Sequence, residues 1–308
     1  MTTLAAQSMF QLKTGDTIGV FAPSSWIEKA DLEPSIAFLH AQGFEVFIHP
    51  QTYLRHRQSA GTPQDKLKAL YELWEDERIA CIWAAGGGNH ALHLLEHIDF
   101  ARLKRSNIPK PLIGFSDVTV LLNAFYAHLG TINLHAPTLN RLHKSPQRND
   151  VLAQLGGKTT RIPLDGAQCV TAGEARGVLI GGNLSLFQYL PQTLNTAANK
   201  DFWKTGILFL EDCNEELSRI DRMALHLKRL GVFDDISALI LGSFDPILDS
   251  GKPYEADIVD IFTEHLSGRT IPIVKNAPFG HEKNLMPFPI GRKMRIKSSE
   301  DQCFLDFE

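Results

Sequence analysis

The sequence predicts an α/β protein in two parts: an N-terminal parallel sheet flanked by helices, then a smaller domain of mixed strands and helices. Two observations carry this. In the first part, short apolar runs alternate with stretches of helical periodicity, the pattern of a parallel sheet with right-handed crossovers. After about residue 143 the texture changes. Residues 144–170 are polar and broken by Gly-Gly and Pro, and short strands dominate from Gly177 onward. The division expected is a domain over 1–143, a linker over 144–170 and a second domain over 171–308. A chain of 308 residues suits one large domain or two of about 150.

Taken in order, Asp16 to Ala22 reads as a buried strand ended by Pro23-Ser24-Ser25. A helix over about 31–42 follows and stops at Gly43, and Phe44 to Ile48 is the next strand. Residues 50–62 are polar and loop-like. Pro63 to Trp74 reads as a helix with Leu67, Leu70, Tyr71 and Trp74 on one face. The strand Ile79–Ala85 runs into Gly86-Gly87-Gly88-Asn89, and a helix bearing Leu92, Leu94 and Leu95 comes next. Pro111 to Phe115 is a short strand that stops at Ser116. Val118, Leu121, Leu122, Phe125 and Tyr126 then recur at helical spacing.

In the second part, Val178-Leu179-Ile180 leads into Gly181-Gly182-Asn183, and Leu184 to Leu190 looks helical. Gly206 to Leu210 is apolar enough to be buried on both faces, with Glu211-Asp212 at its end. A helix carrying Ile220, Met223, Leu227 and Leu230 closes at Gly231. Ala238–Gly242 is another strand, and a helix over about 255–266 leads to Ile271–Val274. The Pro- and Gly-rich loop around Phe279-Gly280-His281-Glu282 precedes a closing strand near Lys293–Ile296.

Composition narrows the function. A hydrophobic share of 44% supports a sizeable core, and a net charge of −4 with no basic block argues against nucleic acid or an anionic membrane as partner. Cys81, Cys169, Cys213 and Cys303 are scattered, with no CxxC, as expected of reduced thiols rather than disulfides or a zinc site. No apolar run reaches membrane-spanning length, and residues 1–10 lack a signal-peptide pattern. The expectation is a cytoplasmic protein.

The strand-to-helix turn at Gly114-Phe115-Ser116-Asp117 is the stretch richest in chemistry. It lifts the Ser116 hydroxyl clear of the sheet beside helix N–H groups that have no intrahelical partner. An oxyanion formed by attack of Ser116 on a carbonyl would be stabilised there. Ser and Asp are also the commonest helix caps, and Val118 stands where the α/β-hydrolase Gly-x-Ser-x-Gly pattern has its second Gly, so the turn alone does not choose. The glycine loop is neither a dinucleotide fingerprint nor a P-loop. It fits either close backbone approach to a substrate or a plain turn. A serine nucleophile needs a base and the base an orienter. Glu211, on rigid scaffold at a strand end, and His281, in a strand-end loop, suit those roles; Glu211 equally suits a surface or helix-capping carboxylate, and His281 a surface or packing histidine.

These stretches, with Gly177 to Leu184 and Asp221-Arg222, resemble the serine LD-carboxypeptidases. That is the muramoyltetrapeptide carboxypeptidase family, which also contains the microcin C self-immunity peptidases. The resemblance runs along nearly the whole chain. It implies a Rossmann-like N-terminal domain of the class I glutamine amidotransferase-like kind, and a triad of Ser116, Glu211 and His281. It implies oxyanion donors at the N–H groups of Asp117 and of the glycine loop, Gly88 being the position chosen. It implies release of terminal D-Ala from murein tetrapeptides in cytoplasmic wall recycling, by a homodimer without metal or organic cofactor. A microcin-immunity type of peptidase, cutting a peptidyl-nucleotide or other amide, is the alternative. A silent binding protein and an amidotransferase-like domain are further ones, though the latter chemistry uses a Cys where Ser116 stands. The family's loop usually reads Arg-Gly-Gly-Tyr-Gly, whereas Ala85-Gly86-Gly87-Gly88-Asn89 lacks the Arg and Tyr. Arg222 and Lys283 are candidates for reading the substrate's terminal carboxylate.

Overall fold

A computed structural model describes residues 10–106, 108–194, 202–248, 251–266, 268–282 and 284–308. The strands of the first half are β1 (Thr17–Phe21), β2 (Glu45–Ile48), β3 (Ile79–Ala84), β4 (Leu112–Gly114) and β5 (Asn133–His135). Those of the second half are β6 (Arg161–Pro163), β7 (Gln168–Thr171), β8 (Gly173–Asn183), β9 (Ile207–Glu211), β10 (Glu215–Glu216), β11 (Ala238–Leu241), β12 (Ile247–Leu248), β13 (Ile273–Lys275), β14 (Phe288–Ile290), β15 (Lys293–Ser298) and β16 (Cys303–Phe307). Contacts divide the chain into two units, Met1–Lys158 with Pro287–Gly291, and Thr159–Met286 with Arg292–Glu308.

The first unit holds one sheet in the order β14-β5-β4-β3-β1-β2. The pairs β2/β1, β1/β3 and β3/β4 are parallel, as the alternation of strands and helices predicts, and so is β4/β5, whose short strand β5 the sequence did not reveal. Buried Ile18, Val20, Cys81, Trp83, Ile113 and Leu134 fill its core, each large apolar side chain contributing about 1.5–3 kcal/mol. The chain order reverses between β1 and β3, and ligands of such sheets sit beyond the strand ends at that point. The Pro23–Ser25 loop after β1 and the glycine loop after β3 both start there. The helix Pro63–Glu75 between them is set by a capping box: Thr62 Oγ1 accepts from the Asp65 N–H at 3.2 Å, and the Thr62 N–H donates to Asp65 Oδ2 at 2.8 Å.

The second unit has an eight-stranded sheet, β6-β16-β15-β8-β9-β11-β13-β7, among the described residues. Its centre, β8/β9, β9/β11 and β11/β13, is parallel. Every residue of β9 is buried, as its composition predicts, which places Glu211 at the end of a central strand.

Two stretches differ from expectation. Residues 144–170, read as a linker, contain the helix Arg148–Leu155 as well as β6 and β7. Gly156-Gly157, which looked like linker, is that helix's stop. Gly157 takes φ +69°, its N–H donates to the Gln154 carbonyl, and the Lys158 N–H reaches Ala153 at 2.9 Å. The Pro-rich 287–291 stretch, read as loop, supplies β14, an antiparallel edge on β5. Proline is tolerated on an edge strand, so Pro289 does not forbid it.

Candidate active site

Ser116 follows β4 through Phe115, whose backbone is extended at φ −156° and ψ 163°. Ser116 itself takes φ +64°. It opens a 3-10 turn, Ser116–Val118, that feeds the helix Thr119–Leu129. A left-handed non-glycine residue costs on the order of 1–3 kcal/mol and persists only where its surroundings over-determine it. A serine held so at a sharp strand-to-helix corner is the geometry of a nucleophile elbow. The ordinary cap does not apply, since Phe115 and Val118 hold the cap positions of the two helical segments and neither makes a side-chain cap bond. Asp117 turns away and caps another helix, its Oδ2 accepting from the Ala91 N–H at 2.9 Å. Burial pushes the Asp117 carboxyl up, while the Ala91 N–H and the charge of Lys66 pull the other way.

The glycine loop lies against this turn. A Cβ placed on Gly87 would sit 3.3 Å from Ser116 Cβ and 3.5 Å from its Oγ, so the loop backbone passes directly beside the hydroxyl. Gly88, at φ +117°, is closed on its other side: a Cβ there would lie 2.1 Å from Ser25 Oγ. The Gly87 carbonyl accepts from the Ser25 N–H at 3.3 Å. Because the peptide is planar and trans, the Gly88 N–H points to the opposite side. Neither the Asp117 N–H nor the Gly88 N–H has a protein acceptor among the described residues.

In the second unit, His281 Nδ1 and Glu211 Oε2 are 2.8 Å apart. The Glu211 side chain has no exposed surface, and its Oε1 has no protein partner among the described residues. Burial works against a charged His281 imidazole, yet bonding to the Cys213 side chain and to Glu211, with their charges, raises its pKa to about 10. Next along, Asp212 ties β9 to β8. Its Oδ1 accepts from Cys213 N–H at 2.9 Å and Asn183 Nδ2 at 3.1 Å, and its Oδ2 from Ser185 N–H at 2.8 Å. Burial, then the neighbouring Glu211 charge, pushes the Asp212 carboxyl up to about 6.

The structure thus pairs Glu211 with His281 within one unit, and gathers Ser116, Asp117, Gly87 and Gly88 within the other. Arg222 is exposed on the helix Leu217–Arg229, and Lys283 lies outside the described residues. Among the described residues no cluster of His, Cys, Asp and Glu could hold a metal ion.

Residues 18–136 match the N-terminal domain of the LD-carboxypeptidases, and residues 176–296 match their C-terminal domain. A Synechocystis sp. protein classed by name with the carboxypeptidases is 30% identical over 92% of this chain and 92% of its own. The chain belongs to the LD-carboxypeptidase family. Like that relative, the microcin C7 self-immunity protein of Escherichia coli covers most of it, being 28% identical over 92% of this chain and 91% of its own. Among solved structures, the muramoyltetrapeptide carboxypeptidase of Oxalobacter formigenes superposes with a TM-score of 0.81 at 26% identity, over 94% of this chain and 98% of that one. This LD-carboxypeptidase family member therefore shares both fold and length with its relatives.

Sequence reasoning missed Lys66, Ser25 and Cys213. Lys66 had a signal: with Leu70 and Leu73 it falls at i, i+4, i+7 on the buried face of its helix, a place where a lysine must find internal partners. Ser25 and Cys213 had none, because loop contacts made across dozens of residues leave no periodic trace.

Proposed function

We propose that this chain is a serine-type LD-carboxypeptidase that releases terminal D-Ala from murein tetrapeptides by a Ser116–His281–Glu211 mechanism. The observation that carries the reading is Ser116, left-handed at the strand-to-helix corner with the glycine backbone beside its hydroxyl. His281 takes the Ser116 proton as the hydroxyl oxygen attacks the carbonyl carbon between the L-centre of the diamino acid and D-Ala. Glu211, bonded to Nδ1, orients the imidazole and stabilises the imidazolium that forms. The Asp117 and Gly88 N–H groups receive the oxyanion, each such donor contributing about 3–4 kcal/mol in comparable sites. His281 then returns the proton to the departing D-Ala amine, and water hydrolyses the acyl-enzyme by the same relay. None of these steps calls for a metal or organic cofactor.

Murein peptide as substrate is supported by the likeness to a muramoyltetrapeptide carboxypeptidase over almost the full chain. Cytoplasmic wall recycling as a homodimer fits the same reading. A microcin-immunity type of activity is the alternative: the microcin C7 self-immunity protein is a relative, and the glycine loop lacks the Arg and Tyr usual in the family, which alters whatever those side chains would read. Incubation of the purified protein with a murein tetrapeptide and with an aminoacyl sulfamoyl nucleoside separates the two. D-Ala release supports the main reading, whereas nucleoside release without D-Ala overturns it for the alternative.

A further inference from the structure

Lys66 is 2% exposed, and the serine mechanism does not use it. Its Nζ donates to the Pro23 carbonyl at 2.7 Å and to the Ser24 carbonyl at 2.9 Å. Those carbonyls belong to the loop that leaves β1 at the switch point of the sheet. The next residue, Ser25, clasps the glycine loop. Its N–H donates to the Gly87 carbonyl at 3.3 Å, its Oγ accepts from the Asn89 N–H at 3.3 Å, and its side chain occupies the space where a Gly88 Cβ would be. Gly87 in turn lies against Ser116. A chain of contacts therefore runs from the buried ammonium through Pro23–Ser25 to the backbone beside the nucleophile. A buried lysine whose hydrogen-bond partners among the described residues are two carbonyls is a costly way to hold a loop, since burying the charged form is unfavourable. The charge has a second addressee: it acts favourably on the buried Asp117 carboxylate directly after Ser116.

We propose that Lys66 is the positioning residue of the oxyanion loop, its ammonium fixing Pro23 and Ser24 so that Ser25 holds Gly87–Asn89 against Ser116. The inference rests on the serine reading of this site, and it concerns geometry that can be measured apart from substrate. A donor displaced by about 1 Å costs on the order of 100-fold in rate. The loss belongs to the transition state, so it falls on kcat rather than KM.

The test compares wild type with Lys66→Met, Lys66→Arg and Ser25→Ala by two readouts. The first is amide hydrogen exchange over residues 86–90. The expected result is faster exchange there in Lys66→Met and Ser25→Ala, with helix Arg148–Leu155 unchanged. The second is turnover of murein tetrapeptide, together with the rate at which a fluorophosphonate labels Ser116. The expected result is a drop of about 10- to 100-fold in kcat and in labelling rate for Lys66→Met, near-constant KM, and partial rescue by Lys66→Arg. If Lys66→Met does not fold, Ser25→Ala carries the same expectation at about 10-fold. Wild type that labels at Ser116 but releases no D-Ala refutes the murein reading alone, and the exchange and labelling results still decide on Lys66. Unchanged exchange at 86–90 and an unchanged labelling rate in a folded Lys66→Met protein overturn the proposal, whatever happens to thermal stability.

Discussion

A carboxylate with no exposed surface must find its counter-charge inside the fold, and Glu211 finds it in His281 at 2.8 Å. Stabilising the imidazolium raises the His281 pKa to about 10, so only a small neutral fraction, the form that accepts a proton, exists at pH 7. That fraction grows tenfold per pH unit until the pKa is approached, so kcat/KM rises with pH across the neutral and mildly alkaline range. Glu211→Gln removes a negative partner, lowers the imidazole pKa and moves the rising limb to lower pH, while the plateau falls because the imidazolium loses its support. A pH series of kcat/KM on wild type and Glu211→Gln checks this; coincident limbs contradict it. The residue types of this pair were legible in the sequence, as a carboxylate ending the most apolar strand and a histidine in a strand-end loop. The 2.8 Å contact was not, because it joins residues 70 apart and depends on β9 and the loop after β13 lying in one sheet.

At the scale of elements, two turns of the proposed site, the one carrying Ser116 and the glycine loop, follow strands of the first unit. The sequence shows β3 ending in glycines and β4 ending in serine, which places both at the carboxyl edge of a parallel sheet. What it hides is which glycine faces which neighbour. Gly87 lies beside Ser116, and Gly88 lies beside Ser25 at a positive φ. Gly88→Ala introduces a Cβ into the Ser25 side chain and strains the backbone, so the loop must shift. The expected outcome is a loss of at least about 100-fold in kcat with a small change in thermal midpoint, read by tetrapeptide turnover beside calorimetry. Retained kcat would exclude the loop from oxyanion binding.

At the scale of the molecule, alternation of strands and helices was enough to give the parallel strands β1 to β4 of the first unit, since they are joined by helices that periodicity reveals. Two strands of that sheet were not legible, the three-residue β5 and the edge strand β14. β14 comes from residues 288–290, far along the chain, and its proline masks it. The helix Arg148–Leu155 secures the start of that stretch, Gln154 Nε2 donating to the Pro287 carbonyl at 2.7 Å. Gln154→Ala leaves a buried carbonyl without its donor and should cost about 1–3 kcal/mol, seen as a lower thermal midpoint with turnover per folded molecule preserved. An unchanged midpoint would show that 287–291 is held by strand pairing alone.

The serine mechanism stands or falls on one nucleophile activated by one imidazole. The measurement that reaches it most directly is the rate and site of covalent labelling by a fluorophosphonate, mapped by peptide mass, in wild type, Ser116→Ala and His281→Ala. The expected result is one adduct per chain on Ser116, none in Ser116→Ala, and labelling slowed by about 1,000-fold or more in His281→Ala. An adduct on any other residue, or an undiminished rate in His281→Ala, would contradict it.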